Sequence, residues 1–399
     1  MKGQNQKISN RVKKRILILS GVFPPDIGGP TAFLDPLARE LTKNGYFVRV
    51  LTFGQKDELK YPYPIKRVSN FWPGILKSLI YLKWGLWYGL KTDIVYNQDL
   101  YTAGLTGLII KKIFRKKLVT RFVGDSAWEK SSVRRLINDD IMTFQEKKYS
   151  WKIERWKRAR KNILTNSDKI IVASNFSKQV ALKIGAPEKK IKVIYNSVDF
   201  METEASSSKE ELKNKMNLRG KILLTIARLT PWKGIDTLIE IMPDLIENYG
   251  EISLIIVGHG PEFKNLKELA KKLKIGKKII FTGKVERQEI NDYMSIADVF
   301  LLNTNYEGMS HTLLEAMKAG VAIITTPVGG NLETIKDNQT GLLVDYSDKQ
   351  KWIEAISKLL DNSDLGERFI KNAKDDLKRF DWNNLVKETI NVFEGLNNE

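Results

Sequence analysis

Two pairs of charged residues in the second half of the chain have the types and spacing for chemistry on an anionic ligand. Glu307 and Glu315 are separated by seven residues, the first in a loop after the apolar run Val299–Leu302, the second about one turn into a helix that begins near Thr312. Helical geometry lets both carboxylates face one ligand in the crevice above a sheet. The start of that helix presents unpaired backbone N–H groups to the crevice, and together with the helix dipole they favour an anionic group such as a diphosphate. Arg228 and Lys233 lie five positions apart, between an apolar run, Lys221–Ile226, and the next helical pattern. A departing diphosphate gains negative charge as the bond to it breaks, so two fixed cations stabilise that transition state more than the ground state. On an ordinary surface the same four side chains would be solvated charges.

These residues need elements to hold them. Short β-rich runs alternate with helical patterns along the whole chain, at residues 15–21, 46–53, 93–97, 118–123, 169–173 and 191–195, then 221–226, 253–257, 279–282, 299–302 and 321–325. Alternation of this kind predicts parallel sheets covered by helices on both faces, arranged as two doubly wound α/β domains facing each other across a cleft. In the first βαβ unit Gly28 and Gly29 stand between strand and helix, where backbone could touch a phosphate, although a plain turn uses the same residues. A polar segment at 200–215, with Glu202, Glu204 and a serine triplet, reads as the linker between domains 1–199 and 216–379.

Composition narrows the function classes. The 399 residues contain no cysteine and two histidines, His259 and His311, which removes thiolate metal sites and disulfides and makes a zinc site a poor fit. The net charge of +19 is lopsided, with +23 in residues 1–200 and −4 in residues 201–399. Such a field attracts polyanions, meaning nucleic acid, an anionic membrane face or a phosphorylated acceptor. No apolar run is long enough to span a bilayer, and the basic start followed by residues 16–23 reads as a polar tail and a buried strand in preference to a signal peptide.

The loop Glu307-Gly308-Met309-Ser310-His311-Thr312-Leu313-Leu314-Glu315-Ala316-Met317 resembles the signature of the family 4 retaining glycosyltransferases. Phe23-Pro24-Pro25-Asp26-Ile27-Gly28-Gly29 is similar to that family's amino-terminal loop, Arg228-Leu229 with Lys233-Gly234 to its phosphate-binding string, and Gly329-Gly330 with Glu333 to a helix entry beside the ligand. Asn196-Ser197-Val198-Asp199 resembles the segment closing the first domain, with Ser197 in place of glycine, and Phe380-Asp381-Trp382 the point where a last helix, within 380–399, crosses back. The resemblance implies the GT-B fold and transfer of a sugar from a nucleotide-diphosphate donor to an acceptor hydroxyl with retention. It assigns Glu307 to the donor sugar, the backbone of Met309, Ser310 and His311 to the donor, Glu315 to the ribose hydroxyls, Val285 to the nucleobase, and the loop opened by Gly258 to the nucleotide's surroundings. Retention implies a same-face substitution in which the departing phosphate oxygen takes the acceptor proton. With no Asp-x-Asp motif, neutralisation by protein in place of a metal is the expectation, and no cofactor is called for.

One departure stands out. Many family members carry a histidine after the strand that ends near Val123, whereas this chain reads Gly124-Asp125-Ser126-Ala127-Trp128-Glu129. Asp125 either takes over contact with sugar or acceptor or caps the next helix.

Residues 71–90, FWPGILKSLIYLKWGLWYGL, read either as a core-packing helix or as an interfacial element, since tryptophan, tyrosine and lysine suit the lipid headgroup zone. Basic clusters at 111–117 and 151–161 lie in the same half and favour a membrane surface over nucleic acid, consistent with a lipid-linked or surface-polysaccharide acceptor and a cytoplasmic, peripheral location. Two rivals are an epimerase or hydrolase on the same scaffold, which lacks an evident acid/base histidine, and a non-catalytic binder of anionic surfaces.

Overall fold

The computed structural model describes residues 13–26, 29–55, 57–198 and 207–396. The amino-terminal tail, Gly28 and the central part of the linker lie outside the described residues. In the first domain seven parallel strands are β1 (Arg15–Leu19), β2 (Phe47–Phe53), β3 (Ile65–Val68), β4 (Ile94–Asn97), β5 (Lys117–Phe122), β6 (Lys169–Val172) and β7 (Ile191–Val193), in the spatial order β3-β2-β1-β4-β5-β6-β7. The second domain has six, β8 (Lys221–Ile226), β9 (Ile252–Val257), β10 (Ile279–Gly283), β11 (Val299–Leu302), β12 (Ala322–Thr325) and β13 (Leu342–Leu343), in the order β10-β9-β8-β11-β12-β13. The two doubly wound domains are those implied by the alternation of runs.

Central strands such as β9 (ISLIIV) and β11 (VFLL) are buried along their whole length because helices cover both faces, which is why they read as continuous apolar runs. The edge strand β3 (IKRV) and the two-residue β13 carry too little apolar signal for sequence reading to find them. The helical pattern after Lys233 is broken in two, Ile235–Glu240 and Met242–Tyr249, because Pro243 has no N–H to continue the first segment.

Both chains of strands run outward from one central strand and then return to its other side. The switch falls between β1 and β4 in one sheet and between β8 and β11 in the other. Loops leaving adjacent strands there diverge in opposite directions and open a crevice at the carboxyl ends. The last helix, Trp382–Gly395, joins the first domain's core through Leu385 and Phe393, and the Tyr46 hydroxyl meets the Glu394 carboxylate at 3.0 Å.

The helix Gly74–Gly89 has two different faces. Inward, the Tyr81 hydroxyl reaches the carbonyls of Ser20 (3.1 Å) and Leu51 (2.8 Å), and Gly85 and Gly89 let the neighbouring helix Thr102–Phe114 approach closely enough that a Cβ at either would overlap Thr106 or Ile110. Outward, Phe71, Ile75, Leu79 and Trp87 are exposed. The core-packing reading of this stretch holds for the inward face, and the outward face is apolar and exposed.

Candidate active site in the interdomain cleft

The second domain builds its half of the site by tying the loop after β8 to the loop after β11. Pro231–Lys233 forms a single 3-10 turn, and the carbonyl of Trp232 accepts from the Asn305 N–H at 2.8 Å and the Thr304 hydroxyl at 3.2 Å. Gly234, at φ +51°, ends the turn with its carbonyl taken by the Asn303 amide at 2.8 Å. On the far side, Gly329 at φ +55° and Gly330 lie so close to the loop that a Cβ on either would strike the carbonyl of Glu307 or Gly308, and the Gly330 N–H donates to Glu307 O at 3.0 Å. Only glycine permits that approach. Thus clamped, Glu307 meets Lys233 in an ion pair, with the two side chains 15% and 13% exposed. Arg228, two residues beyond β8, is exposed and has no ion pair among the described residues.

Ser310 caps the helix His311–Ala319, its hydroxyl accepting from the Leu313 N–H at 3.3 Å. Leu313, Leu314, Ala316 and Met317 are buried, and Glu315 sits half-buried one turn in. Buried Met309 is held from the first domain, its carbonyl accepting from the Asn196 amide at 2.9 Å, while Asn196 in turn accepts from Arg121 at 2.8 Å. His311 stacks on Phe33 of the first domain at 6.1 Å, near the start of the helix Gly29–Lys43 that Gly29 opens. Gly258, at φ +132°, presses the loop after β9 against the Ala227 carbonyl, and Val285 is buried in the loop after β10.

The first domain supplies a carboxyl that sequence reasoning did not single out. Asp125 is fully buried and its oxygens are occupied: one accepts from the Ala127 and Trp128 N–H groups at 2.9 and 3.2 Å, the other faces Arg160 at 2.8 Å and Gln145 at 2.9 Å. Of the two roles open to it, Asp125 has that of helix cap, and its carboxylate has no oxygen left for a sugar. One turn further, Glu129 is half-buried and leans over Gly124 at the end of β5, close enough that a Cβ there would overlap its carboxylate. Burial, then the neighbouring Asp125, pushes the Glu129 carboxyl up to about 7, against the pull of Arg228 and Lys233; Glu307 adds a smaller push upward. Its place four residues after Asp125 sets it one turn into the same helix, but no residue type around it marks the partners it meets from the other domain.

The two halves interlock. Trp128 of the first domain packs against Trp232 at 5.1 Å and Tyr306 at 5.0 Å, and the buried Tyr306 hydroxyl takes the backbone N–H of Asp125. Glu333 crosses the cleft to accept the N–H groups of Asn175 and Phe176, both at 2.9 Å, and so caps the first-domain helix Asn175–Ile184. Among the described residues no three carboxylate or histidine groups gather as a metal site. Two cations and two carboxylates, Arg228 and Lys233 from the loop after β8, Glu307 from the loop after β11 and Glu129 from a first-domain helix, are thus near enough for Glu129 to feel the charge of the other three.

Comparison with known proteins bears on the family and the fold. The family model described as Glycosyl transferases group 1 matches residues 207–376, and that described as Glycosyltransferase Family 4 matches residues 27–201. An uncharacterized glycosyltransferase of Methanocaldococcus jannaschii is 28% identical, covering 95% of this chain and 98% of its own. A GDP-mannose-dependent alpha-(1-6)-phosphatidylinositol monomannoside mannosyltransferase of Mycobacterium tuberculosis is 32% identical over 40% of this chain and 43% of its own. Among solved structures, Anabaena HepE in complex with UDP and glucose superposes with a TM-score of 0.79 at 20% identity, covering 96% of this chain and 99% of that one. WaaG, a glycosyltransferase involved in lipopolysaccharide biosynthesis, follows the same fold with a TM-score of 0.74 at 19% identity, covering 94% and 98%.

Proposed function

From the premise that the chain belongs to the family 4 glycosyltransferases and has their GT-B fold, we propose that it moves a sugar from a nucleotide-diphosphate donor to an acceptor hydroxyl with retention at the anomeric carbon. The observation that carries this reading is the Lys233–Glu307 ion pair at the β8/β11 switch point, ahead of a capped helix start and with Arg228 in the same loop as Lys233. The diphosphate lies against Arg228, Lys233 and the amino terminus of the helix His311–Ala319, where the dipole and both cations favour negative charge. Glu315 holds the ribose hydroxyls, the base rests near Val285 and the Gly258 loop, and Glu307 orients the sugar. Lys233 is paired with Glu307; an arriving diphosphate competes for the ammonium and frees a carboxylate oxygen for a sugar hydroxyl.

The leaving group's charge is met by protein, so the reaction proceeds without a metal ion, and on the retaining path the departing phosphate oxygen takes the acceptor proton. HepE binds UDP and glucose, and the mycobacterial relative is GDP-mannose-dependent, which supports a nucleotide-sugar donor.

A lipid-linked acceptor at an anionic membrane surface fits the first domain. The exposed Phe71, Ile75, Leu79 and Trp87 lie on a domain whose half of the chain carries the +23 charge, and the mycobacterial relative acts on a phosphatidylinositol mannoside. Among the described residues no helix is long and apolar enough to cross a membrane.

The test is release of nucleoside diphosphate from UDP-, GDP- and ADP-sugars in the presence of detergent-dispersed phosphatidylinositol or polyprenyl-linked sugars, with and without EDTA, followed by NMR of the product. An α-linked product from an α-linked donor, formed equally in EDTA, is the expected result. A β-linked product would overturn retention, and loss of turnover in EDTA would overturn metal independence.

A further inference from the structure

Glu129 stands where groups from both domains face one another. Around it, the first domain contributes the strand end at Gly124, the Asp125 carboxylate matched by Arg160, and Tyr101, whose hydroxyl donates to the Ser126 carbonyl at 2.9 Å. The second domain contributes the Tyr306 hydroxyl, the two cations Arg228 and Lys233, and Glu307. No hydrogen bond or ion pair ties the Glu129 carboxylate to a side chain among the described residues, while its neighbour Asp125 is fully satisfied. A carboxylate turned toward the cations of an anion site and left without a partner has work to do when the site fills.

We propose that Glu129 is a further ligand-contacting residue of the donor site, which receives a proton from solvent as the diphosphate occupies Arg228 and Lys233 and then donates a hydrogen bond to an oxygen of the donor. The inference rests on the donor-site reading above. Arg228 and Lys233 favour the charged form of Glu129, while burial and Asp125 oppose it. A bound diphosphate neutralises those cations and adds negative charge of its own. Both changes disfavour a second anion nearby, so the carboxyl moves to its neutral form. The neutral form has an O–H to give, and repulsion becomes attraction.

Donor binding is therefore coupled to proton uptake. Isothermal titration calorimetry of the full chain with UDP, GDP and ADP at pH 7.5, in buffers of different ionisation enthalpy, counts the protons. The free probe is the same in both titrations, so the difference between wild type and Glu129→Gln reports the Glu129 carboxyl together with the effect of its charge on the bound phosphate. Wild type is expected to take up roughly half a proton or more per site above the variant, with the variant still binding. Glutamine fills the same volume, and Glu129→Ala serves as a second variant should Glu129→Gln fail to melt cooperatively. Equal proton numbers in wild type and variant, with binding retained, would overturn the role of Glu129 and leave the donor site standing. No heat with any of the three nucleotides would overturn the donor-site reading and this proposal with it.

Discussion

At the scale of single residues, the account separates side chains that meet ligand from those that hold the site. Arg228 is exposed and has no ion pair among the described residues, so Arg228→Ala should leave the melting temperature within about a degree of wild type, since surface changes are usually worth under ~0.5 kcal/mol, while lowering kcat by roughly 10²- to 10³-fold. Retained turnover in that variant would show that the diphosphate lies elsewhere. Asp125 behaves in the opposite way. Asp125→Asn leaves the Arg160 guanidinium buried without its counter-charge and should cost about 3 to 5 kcal/mol of stability. A chemical-denaturation midpoint unchanged in Asp125→Asn would contradict its assignment as a structural cap. Glu129 gives a pH signature. Its folded carboxyl is pushed from an ordinary 4.5 to about 7, so the native state binds the proton more tightly than the unfolded chain. Its stabilising contribution is complete below the ordinary value and is lost as pH rises through the folded one. Glu129→Gln should therefore melt progressively higher than wild type as pH rises from 4.5 to 7.5, by roughly 1 to 2 kcal/mol once partial exposure is allowed for. Parallel melting curves across that range would show that the carboxyl is not displaced.

At the scale of elements, what the sequence revealed followed burial. Strands covered on both faces, such as β9 and β11, announced themselves as apolar runs within a residue of their ends, whereas β3, with Lys66 and Arg67 among its four residues, did not. The loop from Glu307 to Glu315 was legible because its residue types are tied to one chemistry. Glu129 was not, because nothing in the string around it marks which helix face turns toward Arg228 and Lys233 across the cleft; that depends on how two domains meet. The same applies to Glu333, which caps the helix Asn175–Ile184 from the opposite domain and would pass in sequence for a ligand contact. The helix Gly74–Gly89 shows packing deciding between readings. Gly85 sits against Thr106, so Gly85→Ala should push two helices apart at a cost of about 1 to 3 kcal/mol. A melting temperature as high as wild type would mean the glycine is there for another reason.

At the scale of the whole molecule, two properties follow from how charge and apolar surface are distributed. The first domain carries the basic excess together with the exposed face of Phe71, Ile75, Leu79 and Trp87. Sedimentation with vesicles of phosphatidylglycerol and phosphatidylcholine should capture the protein, with binding weakened by salt and by Ile75→Glu with Leu79→Glu. Capture equal in the double variant would place the membrane contact on another face. The cleft is crossed by direct contacts, Trp128 on Trp232 and Tyr306, and Glu333 on Asn175 and Phe176, which hold the two domains' loops against each other. The central claim is that the loops after β8 and β11 form a metal-independent site for a nucleoside diphosphate. It is tested most directly by thermal shift of wild type and Arg228→Ala with UDP, GDP, ADP and their sugar conjugates, each with and without EDTA. The account predicts that one nucleotide family raises the wild-type midpoint, undiminished by EDTA, and that Arg228→Ala loses most of that rise. A rise of equal size in Arg228→Ala, or none with any nucleotide in wild type, would contradict it.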